Sequence, residues 1–199
     1  MKTTFYIFRH GQTDWNINKR LQGKTDIPLN ELGLEQASKL ADHMKSLPLD
    51  MIVSSPLIRA QKTAELVNQY HKLEIEYDMG LRELDFGEAE GLTVIDAQEK
   101  YGADLWNNFI NHDEESNKFC FPGGEPKGLA LERGLSMLKR LSENQHEHIA
   151  LSSHGGILRL LIHSFLPEGT EPIQISNCIL YKIEYEDQKV NISGPIWSL

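Results

Sequence analysis

The sequence predicts an α/β protein in which helices cover both faces of a central, mostly parallel sheet. Apolar, β-branched runs alternate along the 199 residues with stretches whose apolar residues recur every three or four positions. This alternation is typical of strands that are joined by crossover helices. The chain contains no Gly/Ser-rich linker, so we expect a single three-layer α/β/α domain over residues 1–199.

The first half of the chain supplies three of the predicted strands. The opening strand covers residues 5–8 and precedes a loop over 16–29. A helix is predicted over about 31–47, because apolar residues recur there at helical spacing, Asn30 can cap its first turn and Pro48 ends it. The next elements are a strand over 51–53, a helix from a Ser55 N-cap to about residue 70 with Pro56 in its first position, and a strand over 73–77.

The second half begins with an irregular segment over 79–128, which contains seven glycines and one predicted helix over about 94–110. Such a segment is expected to lie over one edge of the sheet, as a lid or insertion that determines specificity. The elements beyond it are a helix over about 129–143, a strand over 149–151, a helix over about 156–165, and strands over 178–184 and 190–193.

The composition limits the classes of partner. The formal net charge is −9, whereas proteins that bind nucleic acid or anionic membranes in general present a basic face. The longest apolar stretch, over 157–166, contains Arg159 and His163 and is too short to cross a bilayer. The N-terminus lacks the apolar core of an export signal, so we expect a cytoplasmic protein that binds neither nucleic acid nor membranes. Cys120 and Cys178 are predicted to be reduced.

Histidine and arginine side chains follow two of the predicted strands. Arg9 and His10 come directly after the first strand, and His154 follows the strand over 149–151. Ligands of α/β sheets bind at the carboxyl ends of the strands. Arginine is a fixed, planar cation suited to phosphate, and histidine is neutral enough near pH 7 to act as a nucleophile. A lone histidine at a strand end is usually only a satisfied polar residue, but two histidines that both precede glycine indicate one phosphoryl-binding site.

Two further segments contribute to this prediction. Arg59 lies in the first turn of the helix after the strand over 51–53, which repeats the arrangement of a strand, a loop and a cation. The segment over 81–91 places several carboxylates between glycines, and one of these carboxylates is expected to act as general acid and base. The candidates are Glu83, Asp85, Glu88 and Glu90.

Five short motifs occur in the order found in one known family. They are RHG at 9–11, GKTDIPLN at 23–30, SSPLIRAQKTA at 54–64, LRELDFGEAEG at 81–91 and SHGG at 153–156. On these motifs the chain resembles the histidine phosphatase superfamily, in its phosphoglycerate-mutase-like branch. The resemblance covers nearly the whole chain and is greatest to small phosphatases of the α-ribazole-phosphatase or broad-specificity type.

The resemblance implies a role for each matching residue. His10 is the expected nucleophile, which accepts the phosphoryl group as a phosphohistidine. Arg9 and Arg59, together with a protonated His154, are expected to bind the phosphoryl oxygens. Glu83 is the expected general acid and base, in preference to the other carboxylates of its segment. Residues that the resemblance places against the phosphate, the substrate or the loop of the nucleophile are Thr13, Asn16, Gln22, Gly23 and Gly155.

The resemblance also implies a reaction. The expected protein is a histidine acid-type phosphatase, a metal-independent phosphomonoester hydrolase without a cofactor. Its partner would be a small phosphorylated metabolite, such as α-ribazole 5′-phosphate, or a broad range of them. Gln12 and Thr13 stand where cofactor-dependent phosphoglycerate mutases usually show Glu-Ser, which favours hydrolysis. Such a mutase and a catalytically inactive, phosphate-binding regulatory protein are the alternatives, and the oligomeric state, monomer or homodimer, is left open.

Overall fold

The computed structural model describes residues 2–111, 115–186 and 189–199. In these residues six strands form one sheet, in the order β3-β2-β4-β1-β5-β6. The strands are β1 (Lys2–Arg9), β2 (Met51–Ser54), β3 (Ile75–Tyr77), β4 (His148–Ser153), β5 (Leu180–Glu186) and β6 (Lys189–Trp197).

Four strands of the sheet pair in parallel, and two more are joined by antiparallel pairing. β1 pairs parallel with β4, β4 with β2, and β2 with β3, whereas β5 and β6 add antiparallel strands on the other side of β1. The predicted α/β fold with a mostly parallel sheet is therefore confirmed. β1 and β4 end together, because Phe8 lies opposite Ser152 and Arg9 opposite Ser153. This register brings the two predicted histidine segments to the same edge of the sheet.

Helices cover both faces of the sheet. They are α1 (Asp14–Ile17), α2 (Glu31–Met44), α3 (Ile58–Asn68), α4 (Val94–Tyr101), α5 (Ala103–Ile110), α6 (Lys127–Ser142) and α7 (Gly155–His163). Side chains alternate along β1, so that Tyr6 and Phe8 pack with α2 and α3 while Phe5 and Ile7 pack with α6 and α7. Among the described residues, no helix is long and apolar enough to cross a membrane.

Two of the predicted helices differ from the observed ones. The helix predicted from Ser55 begins only at Ile58, because the backbone before it is still extended. The helix predicted over 94–110 is two helices, because Gly102 between them adopts a φ of 82°. This left-handed conformation, which glycine adopts without steric cost, interrupts the helical hydrogen bonds.

A short helix lies where the sequence predicted the start of a loop over 16–29. α1 follows Thr13, whose hydroxyl accepts the N–H of Asn16 at 3.2 Å, while the Asn16 side chain accepts the N–H of Thr13 at 3.0 Å. This reciprocal capping stabilises a single turn. Four residues are too few to show an apolar period, so the pattern that revealed the longer helices was absent here.

The segment over 79–128 is built from α4, α5 and three 3₁₀ turns, and its residues 112–114 lie outside the described residues. An aromatic cluster connects its parts. The ring of Phe86 lies 5.4 Å from that of Phe109 and 6.2 Å from that of Phe121. Phe86 and Phe121 also belong to the core on the α6 and α7 face of the sheet. The role of this segment as a lid stays a prediction.

Candidate active site

Two histidines lie side by side at the carboxyl edge of the parallel strands. His10 directly follows β1, and His154 directly follows β4. Because these strands are parallel neighbours in register, the two ring centroids come within 5.1 Å of each other, with the ring planes tilted by 57°. The N–H of His10 donates to the carbonyl of Ser153 at 3.0 Å, which extends the β1–β4 pairing into the site. Both histidines are buried.

The His10 ring is held in one tautomer. Its Nδ1 lies 2.6 Å from the carbonyl oxygen of Gly11, which can only accept, so Nδ1 carries the proton and Nε2 has an available lone pair. No described residue donates to Nε2. Desolvation by burial lowers the pKa of His10 well below 6.5, and the charges of Arg59 and Arg9 lower it further. The ring is therefore neutral at pH 7, with Nε2 free to act as a nucleophile.

The Arg59 guanidinium is buried beside the two histidines. Its Nε donates to Nδ1 of His154 at 3.2 Å, and its terminal nitrogens donate to the carbonyls of Thr25 and Gly23 at 2.9 and 2.8 Å. These contacts use three of the five N–H groups of an arginine and leave two for a ligand. Arg59 is only 1% exposed, so any anion that binds these two groups is largely removed from water.

His154 has the hydrogen-bond partners of a neutral imidazole. Arginine can only donate, so the Nδ1 atom that faces Arg59 is unprotonated, and Nε2–H donates to the Ser55 hydroxyl at 2.7 Å. Desolvation lowers the pKa of His154 well below 6.5, and the charge of Arg59 lowers it further. The predicted protonated ring is therefore corrected. Because both ring nitrogens are engaged within the protein, His154 orients Arg59 instead of supplying a charge.

Arg9 supplies the second guanidinium of the site. Its Nη1 donates to the carbonyl of Ile175 at 2.6 Å, whereas its Nε is buried and has no partner among the described residues. A Cβ on Gly155 would lie 3.4 Å from this guanidinium, so the first turn of α7 passes directly beside it. Desolvation lowers the pKa of Arg9 to about 10, against the opposing charge of Glu83. The side chain therefore remains a cation at neutral pH.

Glu83 lies at the amino end of α7. Its carboxylate accepts two N–H groups of the first turn of that helix, at 2.9 and 3.0 Å, and the N–H of Leu84 at 3.0 Å. A helix N-terminus carries partial positive charge, which suits a carboxylate there. Glu83 is 8% exposed, and its charge acts on both Arg9 and Arg59. The structure thus places Glu83 near the two guanidinium groups.

The other candidate carboxylates have different surroundings. Asp85 pairs with Lys24 at 2.7 Å, and the Glu88 side chain is 65% exposed. Glu90 accepts the N–H groups of Lys24 and Thr25 at 2.9 and 3.0 Å. It thereby fixes the loop whose carbonyls hold the buried guanidinium. Glu90 is a structural support of the site, with its oxygens already occupied by backbone donors.

Thr13 and Asn16 hold the loop after His10. The Asn16 side-chain oxygen accepts the N–H and the hydroxyl of Thr13 at 3.0 and 3.1 Å, and it accepts the side-chain amide of Asn177 at 3.2 Å. Asn177 also donates to the carbonyl of His10 at 3.0 Å. The Thr13 hydroxyl is thus used within the α1 cap. The Nδ2 group of Asn16 has no acceptor among the described residues.

The three other predicted residues have distinct places in the structure. The carbonyl of Gly23 accepts from Arg59, and glycine is required there because φ is 53° and a Cβ would lie 2.0 Å from Glu90. Gln22 is buried, and its side-chain oxygen has no partner in the described part of the chain. The N–H of Gly155, in the first turn of α7, likewise donates to none of the described residues.

Several residues that orient the site were not predicted. Ser55 contacts the ring of His154, and Thr63 accepts the N–H of Gly11 at 3.1 Å. Asn177, just before β5, donates to the carbonyl of His10. Serine, threonine and asparagine are frequent in caps and turns, so their presence alone carries little signal. Ser55 and Thr63 do lie within one of the five matching motifs, but Asn177 lies outside all of them.

The positive charge of the site comes from side chains. Arg9 and Arg59 are the cations that lie around His10. Within residues 2–111, 115–186 and 189–199, no three His, Cys, Asp or Glu side chains converge in a way that could hold a metal ion. The described residues therefore suggest two guanidinium groups as the binding site for an anion.

Comparison with known families agrees with this geometry. A family model described as "Histidine phosphatase superfamily (branch 1)" matches residues 5–195. The chain belongs to the histidine phosphatase superfamily. The resemblance predicted from the five motifs is therefore confirmed, and the match extends over the whole sheet except the first residues of β1 and the last of β6.

Two curated relatives of this histidine phosphatase are named for different activities. "Uncharacterized phosphatase PhoE" of Bacillus subtilis is 32% identical over 196 residues, which cover 96% of this chain and 92% of the relative. "Probable phosphoglycerate mutase GpmB" of Salmonella typhi is 32% identical over 193 residues, which cover 95% of this chain and 88% of the relative. These relatives support a phosphatase-type enzyme and leave the substrate open.

Solved structures of phosphatases superpose over nearly the whole chain. One of them is a mycobacterial glucosyl-3-phosphoglycerate phosphatase in complex with VO3, with a TM-score of 0.86 and 25% identity. The superposition covers 96% of this chain and 97% of the mycobacterial chain. The α-ribazole phosphatase from Shigella flexneri has a TM-score of 0.81 at 26% identity and covers 96% and 95%. Both superpositions confirm the fold.

Proposed function

We propose that this histidine phosphatase hydrolyses phosphomonoesters of small metabolites through a phosphohistidine at His10, without a metal ion or cofactor. The observation that carries the proposal is Nε2 of His10, a deprotonated ring nitrogen in a buried site that contains two guanidinium groups. Phosphoryl transfer spreads negative charge over the non-bridging oxygens, so positioning and electrostatic stabilisation are the main contributions that a protein makes. Arg9 and Arg59 supply that stabilisation.

The first step transfers the phosphoryl group to the enzyme. Nε2 of His10 attacks phosphorus, and the bond between phosphorus and the ester oxygen breaks. Glu83, protonated, donates its proton to the departing alkoxide, so that an alcohol leaves and Glu83 becomes a carboxylate. Two N–H donors at the amino end of α7 and the N–H of Leu84 already stabilise that carboxylate.

The second step returns the enzyme to its starting state. The Glu83 carboxylate takes a proton from water while the water oxygen attacks phosphorus. The bond between phosphorus and Nε2 breaks, inorganic phosphate leaves, and Glu83 is again protonated. His154 takes no proton in either step, because one of its ring nitrogens orients Arg59 and the other contacts Ser55.

The acid-type assignment is part of the proposal. A nucleophilic histidine must be unprotonated, and burial keeps the pKa of His10 well below 6.5. The nucleophile is therefore ready in weakly acidic solution, where an ordinary histidine would be half protonated. We expect the enzyme to remain active below pH 6.5.

We infer the substrate class from the names of the superposed structures and from the segment over 79–128. The superposed structures are named for α-ribazole and glucosyl-3-phosphoglycerate phosphatases, which act on small phosphorylated metabolites. Phe86, three residues beyond the proposed general acid, belongs to the aromatic cluster of that segment. We expect the segment to act as a lid that selects among such metabolites in a single-domain enzyme.

The decisive experiment measures phosphate release from a panel of phosphomonoesters in the presence of EDTA. The panel contains α-ribazole phosphate, 3-phosphoglycerate, glucosyl-3-phosphoglycerate, sugar phosphates and an aryl phosphate. The proteins are the wild type, His10→Ala and the control His43→Ala, which removes an exposed histidine on α2. Acid-labile, base-stable phosphate on the protein is measured in parallel, because phosphohistidine has that stability.

The proposal predicts release with EDTA by the wild type and the control, and its loss by about a thousandfold or more in His10→Ala. Isomerisation of 3-phosphoglycerate without phosphate release would instead identify a mutase. Phosphate binding without turnover of any compound would identify a regulatory protein. Activity that requires a metal ion would contradict the proposed mechanism.

A further inference from the structure

Asn177 lies at the turn that leads into β5 and contacts two different parts of the site. Its Nδ2 group donates to the carbonyl of His10 at 3.0 Å and to the side-chain oxygen of Asn16 at 3.2 Å. Both bonds span more than 160 residues of sequence, so they connect the C-terminal strands to the nucleophile segment. The mechanism proposed above gives Asn177 no role.

The backbone around Asn177 is arranged to keep it there. The next residue, Cys178, has a φ of 57°, a left-handed conformation that is strained for a residue other than glycine. In this conformation the N–H of Cys178 donates to the carbonyls of Arg9 and His10 at 3.1 and 3.4 Å. The turn is thus fastened to the end of β1 by main-chain bonds that do not depend on the Asn177 side chain.

The side chain of Asn177 is one of the groups that fix which way the Asn16 amide faces. The Asn16 atom beside Asn177 is also contacted by the N–H of Thr13 and by the Thr13 hydroxyl. Because the main-chain N–H and the Nδ2 group can only donate, the atom that they share must be the amide oxygen. The Nδ2 group of Asn16 is therefore turned away from both partners, and it has no acceptor among the described residues.

We propose that Asn177 is a positioning residue that fixes the Asn16 amide so that its Nδ2 group is presented to the phosphate of the substrate. Without Asn177, the Asn16 side-chain oxygen loses one of the hydrogen-bond donors that hold it in place. The amide is then freer to rotate and to present its oxygen, which repels a phosphate oxygen. This inference rests on the proposed function, because it takes Asn16 to contact a phosphate at the His10 site.

A double-mutant cycle with Asn16 tests the proposal. The variants are Asn177→Leu, which has nearly the same volume but cannot donate, Asn16→Ala, and the two combined. Binding of inorganic phosphate is measured by calorimetry, and KM and kcat are measured with an aryl phosphate. Asn177→Leu is expected to weaken phosphate binding and raise KM about tenfold, which corresponds to one hydrogen bond to a charged group. The kcat is expected to change less than about threefold, because the His10 ring is held by Gly11 independently.

The cycle distinguishes positioning from a general loss of structure. If Asn177 acts through Asn16, the combined variant binds phosphate no more weakly than Asn16→Ala alone. A control cycle pairs Asn16→Ala with Asn144→Leu, an exposed asparagine beyond α6, and its effects are expected to add. Additive effects in the Asn177 cycle would overturn the proposal. So would an Asn177→Leu variant that loses about tenfold in kcat while its KM stays unchanged.

Two further measurements keep the test decisive. If Asn177→Leu does not fold, Asn177→Ala replaces it in the same cycle, with the same expected absence of additivity. Phosphate binding is read without turnover, so a wild type that binds phosphate but hydrolyses nothing contradicts the proposed function while the cycle still decides the role of Asn177. A wild type that hydrolyses substrates while Asn177→Leu and Asn177→Ala bind phosphate normally overturns the inference alone.

Discussion

The nucleophile and the proposed general acid are held by different means. His10 follows the central strand β1, which pairs with β4 on one side and β5 on the other. Its surroundings are largely main chain: its N–H donates to Ser153, and its ring donates to the carbonyl of Gly11. A Cβ on Gly11 would lie 2.3 Å from the carbonyl oxygen of Gly33, so helix α2 approaches this turn too closely for a side chain at residue 11.

Glu83 has no strand to hold it. It lies in a loop between two 3₁₀ turns, and Arg133 of α6 supports the main chain of that loop at several points. Arg133 donates to the carbonyls of Met79, Gly80 and Glu83 at 3.0, 3.0 and 3.2 Å and pairs with both oxygens of Glu125 at 2.9 and 3.0 Å. The position of the nucleophile thus follows from the sheet, whereas the position of the acid depends on the Arg133 side chain and on the bonds that the Glu83 carboxylate itself accepts.

This difference makes a kinetic prediction. Protonation of the leaving group matters most for an alkyl phosphate and least for an aryl phosphate, whose alcohol leaves readily as an anion. We call Glu83 and its loop the acid end of the site, and His10 and the turn after it the nucleophile end. Substitutions that disturb the acid end should therefore reduce kcat/KM unequally for the two substrates. Damage to the nucleophile end should reduce it equally, because attack by Nε2 is common to both.

The largest difference between the two substrates is expected for Glu83→Gln. The amide can fill the same space and cannot donate an acidic proton, so kcat/KM for an alkyl phosphate should fall about a thousandfold. For an aryl phosphate the fall in kcat/KM should be at least tenfold smaller, and phosphohistidine should accumulate because water lacks its base. Rapid acid- and base-quench experiments measure the accumulation. Equal losses for both substrates would assign the acid role to another group.

Gly33→Ala tests the nucleophile end. A Cβ at this position would lie 2.0 Å from the carbonyl oxygen of Gln12, so α2 and the turn after His10 must separate. We expect a loss of about 1–3 kcal/mol in the free energy of unfolding. We also expect a loss of up to about a hundredfold in kcat/KM, because small displacements of reacting groups are costly.

The expected loss in Gly33→Ala is the same for alkyl and aryl phosphates. Glu35→Ala on the exposed side of the same helix is the control, and it should change neither stability nor kinetics appreciably. Denaturant titration measures the free energy of unfolding. Steady-state kinetics measure the loss in kcat/KM for the alkyl phosphate and for the aryl phosphate. A loss confined to the alkyl phosphate would show that the two ends are not held independently.

The sequence was more informative about the nucleophile end than about the acid end. An apolar strand followed by Arg9 and His10, and a second followed by His154, predicted both the sheet and the meeting of the histidines at one edge, because parallel strands end together. Glu83 could be placed only through the family motif. Its loop has no periodicity, and its support by Arg133 joins residues about 50 positions apart.

Charge states and orienting contacts were the least predictable features. The neutral His154 follows from its contact with Arg59, a helix residue 95 positions away, and from burial that the sequence does not display. The break at Gly102 depended on one backbone angle. Asn177 has no motif around it, and its importance is visible only when the turn before β5 is seen against His10.

Arg133→Gln is predicted to loosen the acid end alone. The glutamine amide cannot bridge three carbonyls and a carboxylate, so kcat/KM for an alkyl phosphate should fall about tenfold, the equivalent of roughly 1.4 kcal/mol in the barrier. The loss for an aryl phosphate should be twofold or less. Lys139→Gln, an exposed residue on the same helix, removes a charge as the control. A fall that is equal for both substrates would mean that Arg133 also supports the nucleophile.

The smallest effect concerns the protonation of the two buried rings. The pKa values of His10 and His154 are lowered by desolvation first and by neighbouring arginines second, so both rings should stay neutral in the folded protein from pH 7.5 down to 5.5. Their ring proton resonances, assigned from His10→Asn and His154→Asn, should not shift over this range. A shift centred near 6.5 in either resonance would contradict the burial argument for that ring.

The same depression of pKa has a consequence for stability. In the unfolded chain both histidines take up protons as the pH falls through 6.5, whereas in the folded chain they do not. The unfolded state therefore binds more protons in the window below 6.5, and the free energy of unfolding should fall there by up to about 1.4 kcal/mol per pH unit for each ring. In the double variant His10→Asn/His154→Asn the free energy of unfolding should fall less steeply between pH 6.5 and 5.5. Denaturant titration at several pH values measures this slope. An unchanged slope would show that groups other than His10 and His154 determine how the free energy of unfolding depends on pH in this range.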